Sequence, residues 1–270
     1  MAGRPRRGGA VSGAALLEAL GAAAGGLVCL VGAGGKKSTI YQLANAFSGR
    51  LGITATAHIE PFPKTYASDA VVTEAADIVG PVCRAAATVR RLAFARPCPN
   101  PGRLLGVSFD ELAAIRAHAG FELLLVKADG ARGRILKAPA RHEPALPPDA
   151  TTVIAVASAR ALGAPLDARI AHRPERVAAV CGLAEGEPFE PRHLARLLSS
   201  REGALQGVGD ARVVPLINMV DDEALAAAAR DAAREALTLT DRYAYVVLAS
   251  MRRPQPIVEI VRRQQPDAPR

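Results

Sequence analysis

A continuous apolar run, Leu27-Val28-Cys29-Leu30-Val31, passes directly into Gly32-Ala33-Gly34-Gly35-Lys36-Lys37-Ser38-Thr39, with a helix expected from about Lys37 to Phe47. A buried strand, a glycine turn and a helix in immediate succession form the context in which backbone N–H groups converge on an anion. Glycines let the chain turn inward and approach phosphate oxygens without a side-chain clash. The helix N-terminus adds unpaired donors and partial positive charge. A lysine then reaches the terminal phosphates, and a hydroxyl ligates Mg²⁺. This loop is shorter than G-x-x-x-x-G-K-[ST] and its lysine is doubled, so two registers stand open. In the preferred one Lys36, after Gly34-Gly35, meets the phosphates, with Ser38 or Thr39 near the metal. In the other, Lys37-Ser38 is the Lys-Ser pair and Lys36 replaces the final glycine.

The rest of the chain alternates. Residues 12–23 read as a lead-in helix, 53–56 as a second strand, and 110–118 as a helix with Asp110 at its N-cap. Residues 122–129 form a strand ending in a carboxylate. Further β-branched apolar runs cover 151–157, 212–217 and 243–248, and 222–237 is an Ala-rich helix. Residues 60–108 mix Pro, Gly and irregular apolar pieces and resist assignment. Strands alternating with helices predict an α/β, P-loop NTPase-like fold, with a mostly parallel sheet and helices on both faces. Residues 11–262 are expected to form a single domain, between a disordered basic tail at 1–10 and a flexible one at 263–270.

A carboxylate that ends a buried strand can hold Mg²⁺ beside the phosphates. Asp129 occupies such a position, although simply starting a turn with Gly130 would suit an Asp there equally well. Just beyond it come Arg132, Arg134 and Lys137. With His142, His172 and Arg173 they make a candidate substrate or anion loop, for which solvated surface charge is the plainer alternative. The run 215–221 ends another strand with Asn218 and Asp221. GTPases use Asn-Lys-x-Asp there, the Asp accepting two donors from the guanine edge. Here Met219 replaces the lysine, and Asp221 as a cap for the following helix is an equal alternative. The five histidines, His58, His118, His142, His172 and His193, show no metal-binding spacing.

The formal net charge of +8, from 34 basic against 26 acidic residues, raises the question of nucleic acid. No helix-turn-helix, finger or RNA-recognition pattern answers it, and 4% aromatic residues with no Trp leave nothing for bases to stack on. Part of the excess lies near the ends, at Arg4, Arg6, Arg7, Arg262, Arg263 and Arg270. A membrane is not expected either, because the uncharged stretch 19–35 is glycine-broken and too short to span a bilayer. Arg6-Arg7 before an Ala/Gly-rich stretch faintly resembles an export signal, but Glu18 interrupts it and the glycine loop follows at once. Cys29, Cys83, Cys98 and Cys181 form no C-x-x-C pair, which suits a reducing compartment. The expected location is cytoplasmic.

In this order, the pieces resemble the YqeC family, described as selenium cofactor biosynthesis or selenium-dependent hydroxylase accessory proteins. The resemblance runs from about Leu16 to Asp221. It takes in Leu30-Val31-Gly32-Ala33-Gly34-Gly35-Lys36, the strand end Thr54-Ala55-Thr56-Ala57, Ala128-Asp129-Gly130-Ala131, Leu136-Lys137-Ala138-Pro139-Ala140-Arg141-His142-Glu143-Pro144 and His172-Arg173-Pro174-Glu175. The block from Asp-Gly-Ala to His-Glu-Pro is the most specific part. The resemblance implies a P-loop NTPase-like fold, ATP or GTP with Mg²⁺, and a role in supplying the selenium-containing centre of certain molybdenum hydroxylases. A molybdenum hydroxylase or a selenium-delivery protein is then the expected partner. Three positions depart from the family pattern: Lys37 stands where a Thr usually follows the loop lysine, Lys127 where an acidic residue precedes Ala-Asp-Gly, and Met219 in the Asn-Lys-x-Asp element. The first two place extra positive charge near the expected metal.

Three functions follow as expectations. The leading one is an accessory NTPase, with Lys36 and Asp129 in the catalytic roles, that drives assembly of a metal or selenium centre. A nucleotide-dependent ligase or kinase is the second, since short Gly-Gly-Lys loops also occur in Mur-type ligases, and the 132–137 loop is its candidate acceptor site. The third is a loop that binds nucleotide without turnover and acts as a scaffold.

Overall fold

The computed structural model describes residues 8–63, 69–72 and 76–263. Its helices and strands, in chain order, are α1 (Gly8–Ala19), β1 (Gly26–Gly32), α2 (Lys36–Ala46), β2 (Leu51–Ala55), β3 (Asp69–Val72), α3 (Val79–Ala86), β4 (Arg91–Pro97), β5 (Leu104–Leu105) and α4 (Phe109–His118). They continue with β6 (Leu123–Lys127), β7 (Leu136–Lys137), β8 (Thr152–Ser158), β9 (Ala171–His172), α5 (Pro174–Cys181), α6 (Pro191–Ser199), β10 (Arg212–Asn218), α7 (Glu223–Leu239), β11 (Tyr245–Ala249) and β12 (Ile257–Arg262).

Among the described residues ten strands form one sheet in the order β12-β11-β10-β8-β1-β6-β2-β4-β3, with β5 attached to β4. The pairings are parallel except at the two antiparallel additions, β5 on β4 and β12 on β11. A separate parallel pair joins β7 to β9. The fold is therefore α/β and P-loop NTPase-like, with a largely parallel sheet between two layers of helices.

The period-2 alternation of side chains explains the layering. On β1, Leu27, Cys29 and Val31 enter one core with residues of α3 to α7, whereas Val28 and Leu30 enter the other with α1 and α2. Strands covered on both faces read as unbroken apolar runs, which is why β1, β6 and β8 were visible in the sequence. Because the central strands are parallel, their carboxyl ends share one edge, where ligands of such sheets bind. The loop after β1 emerges there between the ends of β6 and β8.

Several sequence expectations need correction. The N-cap of α4 is Ser108, not Asp110: its hydroxyl accepts from Glu111 N at 3.2 Å while the Glu111 carboxylate accepts from Ser108 N at 2.8 Å, a reciprocal arrangement that Asp110 cannot make. Asp222, not Asp221, caps α7, accepting from Leu225 N at 2.8 Å. Helix α2 begins at Lys36, and α1 begins at Gly8, inside the stretch expected to be a tail; 1–7 and 264–270 lie outside the described residues. The unassigned stretch 60–108 contributes β3, α3, β4 and β5. Among the described residues no helix is long and apolar enough to cross a membrane.

Candidate functional site

The loop between β1 and α2 is shaped by close backbone approaches. Gly32 has φ +86°, and a Cβ there would lie 2.2 Å from the Val156 carbonyl oxygen of β8. Gly35, at φ +121°, sits directly against the Asn218 amide, 2.1 Å from where a Cβ would be. No residue but glycine fits either place. Asn218, buried at the end of β10, donates from Nδ2 to Gly34 O at 2.8 Å and accepts from Met251 N at 3.1 Å. Gly35 caps α2 without a side chain, and Thr39 N, bonded to Gly35 O at 3.0 Å, is the first to close a turn. The N–H groups of Lys36, Lys37 and Ser38 are thus left for whatever occupies the space in front of them.

Beneath the loop runs an alternating chain of charge. Lys36 lies 2.8 Å from Asp129 Oδ1 and also donates to Gly32 O; Gly32 N donates to Asp129 Oδ2 at 3.0 Å. Lys137 follows, 3.0 Å from Asp129 Oδ2 and 3.1 Å from Glu143 Oε2, and Arg173 closes the chain on the same Glu143 oxygen at 2.6 Å. Asp129 is only 2% exposed, and its Oδ1 receives no aligned hydrogen bond despite the nearby ammonium. Burial alone would raise the Glu143 carboxyl, but the Ala140 N–H, Arg173 and Lys137 outweigh it and bring it down to about 2. Lys127, at the end of β6, is 9% exposed and donates to His58 O at 2.6 Å and Asp129 O at 2.7 Å. Burial, reinforced by neighbouring Lys36, lowers its ammonium to about 8.

Over these groups opens a cleft of about 810 Å³. Its walls include the loop and first turn of α2, His58 and Glu60 after β2, Arg103 before β5, the 130–135 loop, and His172-Arg173. Such a volume accommodates a nucleotide-sized ligand. Among the described residues no cluster of three or more His, Cys, Asp or Glu is arranged to hold a metal.

The structure brings together most of the residues singled out from the sequence, and redistributes others. Gly32, Ala33, Gly34 and Gly35 form the turn, Lys36 faces Asp129, and Ser38 is exposed on the cleft. Lys37 is drawn sideways onto Glu60, which also meets Arg103 at 3.4 Å. Thr39 points away: it is fully buried, with its hydroxyl on Gly35 O at 3.1 Å, so the hydroxyl left for the cleft is that of Ser38. Arg132, Arg134, His172 and Arg173 line the far wall. Burial and the cations Arg173, Lys137 and Arg132 hold the His172 ring below its usual value, so it is neutral near pH 7.

Two members of the expected anion loop lie elsewhere. Lys137 has no exposed side-chain surface and is locked between carboxylates, and His142 is exposed outside the cleft. Asn218 braces the loop rather than facing a ligand. Asp221 accepts from Ser250 Oγ at 2.7 Å and from Arg160 Nε at 2.8 Å, and these partners, Ser250 foremost, lower its carboxyl. Sequence reasoning missed Glu60 and Arg103, which lie in the unassigned stretch. Glu143 carried a signal only as the middle of His-Glu-Pro.

The family model described as YqeC protein matches residues 28–175, more than half of the chain. YqeC of Escherichia coli (strain K12), a protein described as uncharacterized, is 30% identical over 189 residues, covering 67% of this chain and 71% of that one. Among solved structures, a crystal structure of HypB from Helicobacter pylori in complex with nickel aligns over 92% of this chain and 88% of its own, at 11% identity and a TM-score of 0.37, too low to assign fold or function. With the glycine loop, the Asp129 strand end and the 136–144 block all inside the matched span, the chain belongs to the YqeC family.

Proposed function

We propose that this protein is an accessory NTPase that binds a nucleoside triphosphate with Mg²⁺ in the cleft and uses it in assembling the selenium-containing centre of a molybdenum hydroxylase. The observation that carries the nucleotide part is the pairing of Lys36 with Asp129 directly beneath a loop whose N–H donors face a nucleotide-sized cleft. Without ligand, the Lys36 ammonium is held on Gly32 O and Asp129, and phosphate oxygens are stronger competitors for it. The backbone N–H groups of 36–38 would take the remaining phosphate oxygens.

The groups present fit a divalent cation. Asp129 Oδ1 lies 2.8 Å from the Lys36 ammonium without an aligned hydrogen bond, so once phosphate draws that ammonium away the oxygen would be left for the cation. The Ser38 hydroxyl is exposed in the cleft. Bound with the triphosphate, Mg²⁺ would neutralise charge on the phosphate oxygens. Base selection has less support, since Asn218 is spent on the loop and Asp221 on Ser250 and Arg160. The selenium part rests on the family and on the 129–144 block, which a generic phosphate loop does not require.

Calorimetric titration with Mg²⁺ and a non-hydrolysable triphosphate tests the site. Lys36→Ala is expected to weaken binding by about 1.5–3 kcal/mol, roughly 10- to 150-fold. Lys37→Ala should cost less, because Glu60 already holds that side chain; the reverse ranking would move the register by one. Phosphate release with and without a molybdenum hydroxylase separates turnover from scaffolding. Selenium per molybdenum in that enzyme, purified from hosts with and without this protein, tests the client, and equal contents would remove the selenium role.

A further inference from the structure

We infer that the cleft holds a second anion site, beside the phosphate loop and built from Lys127, Arg132, Arg134 and Arg173, which takes a phosphate dianion, free or carried on a small molecule. The inference deepens the nucleotide reading and rests on it for the occupant of the other end.

Charge in the cleft is unevenly matched. Seven lysine and arginine side chains line it against two glutamates. Both glutamates are already shared, Glu60 between Lys37 and Arg103, and Glu143 between Lys137 and Arg173. Arg132 and Arg134 face the cleft with no ion pair among the described residues, and both are exposed. Lys127 is different in kind. It is more than nine-tenths buried, and its two hydrogen bonds go to main-chain carbonyls, which neutralise none of its charge. An ammonium has three donors, so one remains at the cleft wall. The one carboxylate acting on it, Asp129, is already shared by Lys36 and Lys137, so this buried cation is under-neutralised and gains from an arriving anion.

Backbone geometry fixes two of the arginines. Arg132 at φ +48° and Arg173 at φ +61° both occupy the left-handed region, which disfavours side chains and persists where the surroundings enforce it. The pairing of Lys137 with His172 across β7 and β9 sets Arg173 beside the 130–135 loop. The neutral His172 ring adds a hydrogen-bonding group without a further charge. Guanidinium pairs with an added ammonium suit the oxygens of a phosphate dianion better than a single carboxylate.

The test uses the full chain saturated with Mg²⁺ and a non-hydrolysable triphosphate, titrated calorimetrically with inorganic phosphate and with phenyl phosphate. Saturable binding is expected. The Arg132→Ala/Arg134→Ala double variant should weaken it at least tenfold while changing triphosphate affinity less than twofold. Lys127→Met should weaken it similarly, with thermal melting used to confirm folding. Tighter phenyl phosphate than phosphate identifies a substrate's phosphoryl group; the reverse identifies free phosphate. Exclusion of phosphate by the triphosphate, or binding indifferent to the double variant, would overturn the inference. If the triphosphate itself does not bind, the nucleotide reading falls, and the free protein still decides the second site: phosphate binding that survives Lys36→Ala but not the double variant sustains it, and any other pattern ends it.

Discussion

The ends of β6 and β10 invite comparison, because each strand delivers a carboxylate just past its last residue on the ligand edge of the sheet. Asp129 follows β6 and is sealed beneath the loop at 2% exposure between two ammonium groups. Asp221 follows β10 and lies further out, 26% exposed, on a serine hydroxyl and a half-exposed arginine. At β10 the group that touches the loop is the neutral amide of Asn218. A strand end sets where a side chain arrives; what it can do depends on the cations around it and on whether water reaches it. One end is a charged floor, the other a neutral brace with an ion pair outside.

The largest expected effect breaks this contrast at the floor. Asp129→Ala strands Lys36 and Lys137 without their shared counter-ion, and loss of one partner from a buried ion pair costs about 3–5 kcal/mol. Chemical denaturation should show that loss together with loss of triphosphate binding; an unchanged midpoint would make the floor no different from the rim.

A second measurement sharpens the contrast by pH. Burial first, then Lys36, Lys137 and Arg103, push the Lys127 ammonium down to about 8 against the opposing pull of Asp129, below its unfolded value near 10.5. Between those values the unfolded chain holds more proton, so stability should rise with pH across that window. Lys127→Met should flatten the rise. Asp221, whose carboxyl is lowered, contributes nothing there; its share of stability is lost only in acid.

The smallest effect belongs to the ion pair outside the brace. Asp221→Asn removes a partly exposed pair and should cost under about 1 kcal/mol. ATP and GTP affinities should each move less than about threefold, and a tenfold loss confined to GTP would restore a guanine-reading role to Asp221.

The central strands and the glycine loop were legible because both obey short-range rules: apolar runs for strands buried on two faces, and glycines where the chain must turn. Asp129 was legible by position. Its partners were not, since Lys137, Glu143 and Arg173 meet only through β7, β9 and a loop, with Glu143 and Arg173 30 positions apart. Strand β4 was hidden although Leu92-Ala93-Phe94-Ala95 is fully buried, because prolines and glycines on either side break the surrounding pattern. The cap of α4 is written in the sequence as Ser108 with Glu111 three residues on, a spacing that the adjacent Asp110 obscures.

Asn218 reaches back 184 residues to hold Gly34, and it is itself held by Met251. Both lie beyond the span matched to the family, which ends at residue 175. A nascent chain that stops short of Asn218 has already received every glycine and lysine of the loop, yet lacks the amide that closes it. Contacts so distant in sequence form late, after synthesis has supplied both partners. Competence at this site is therefore acquired on completion of the polypeptide, and a product truncated downstream of every signature residue would carry the motif without the cradle.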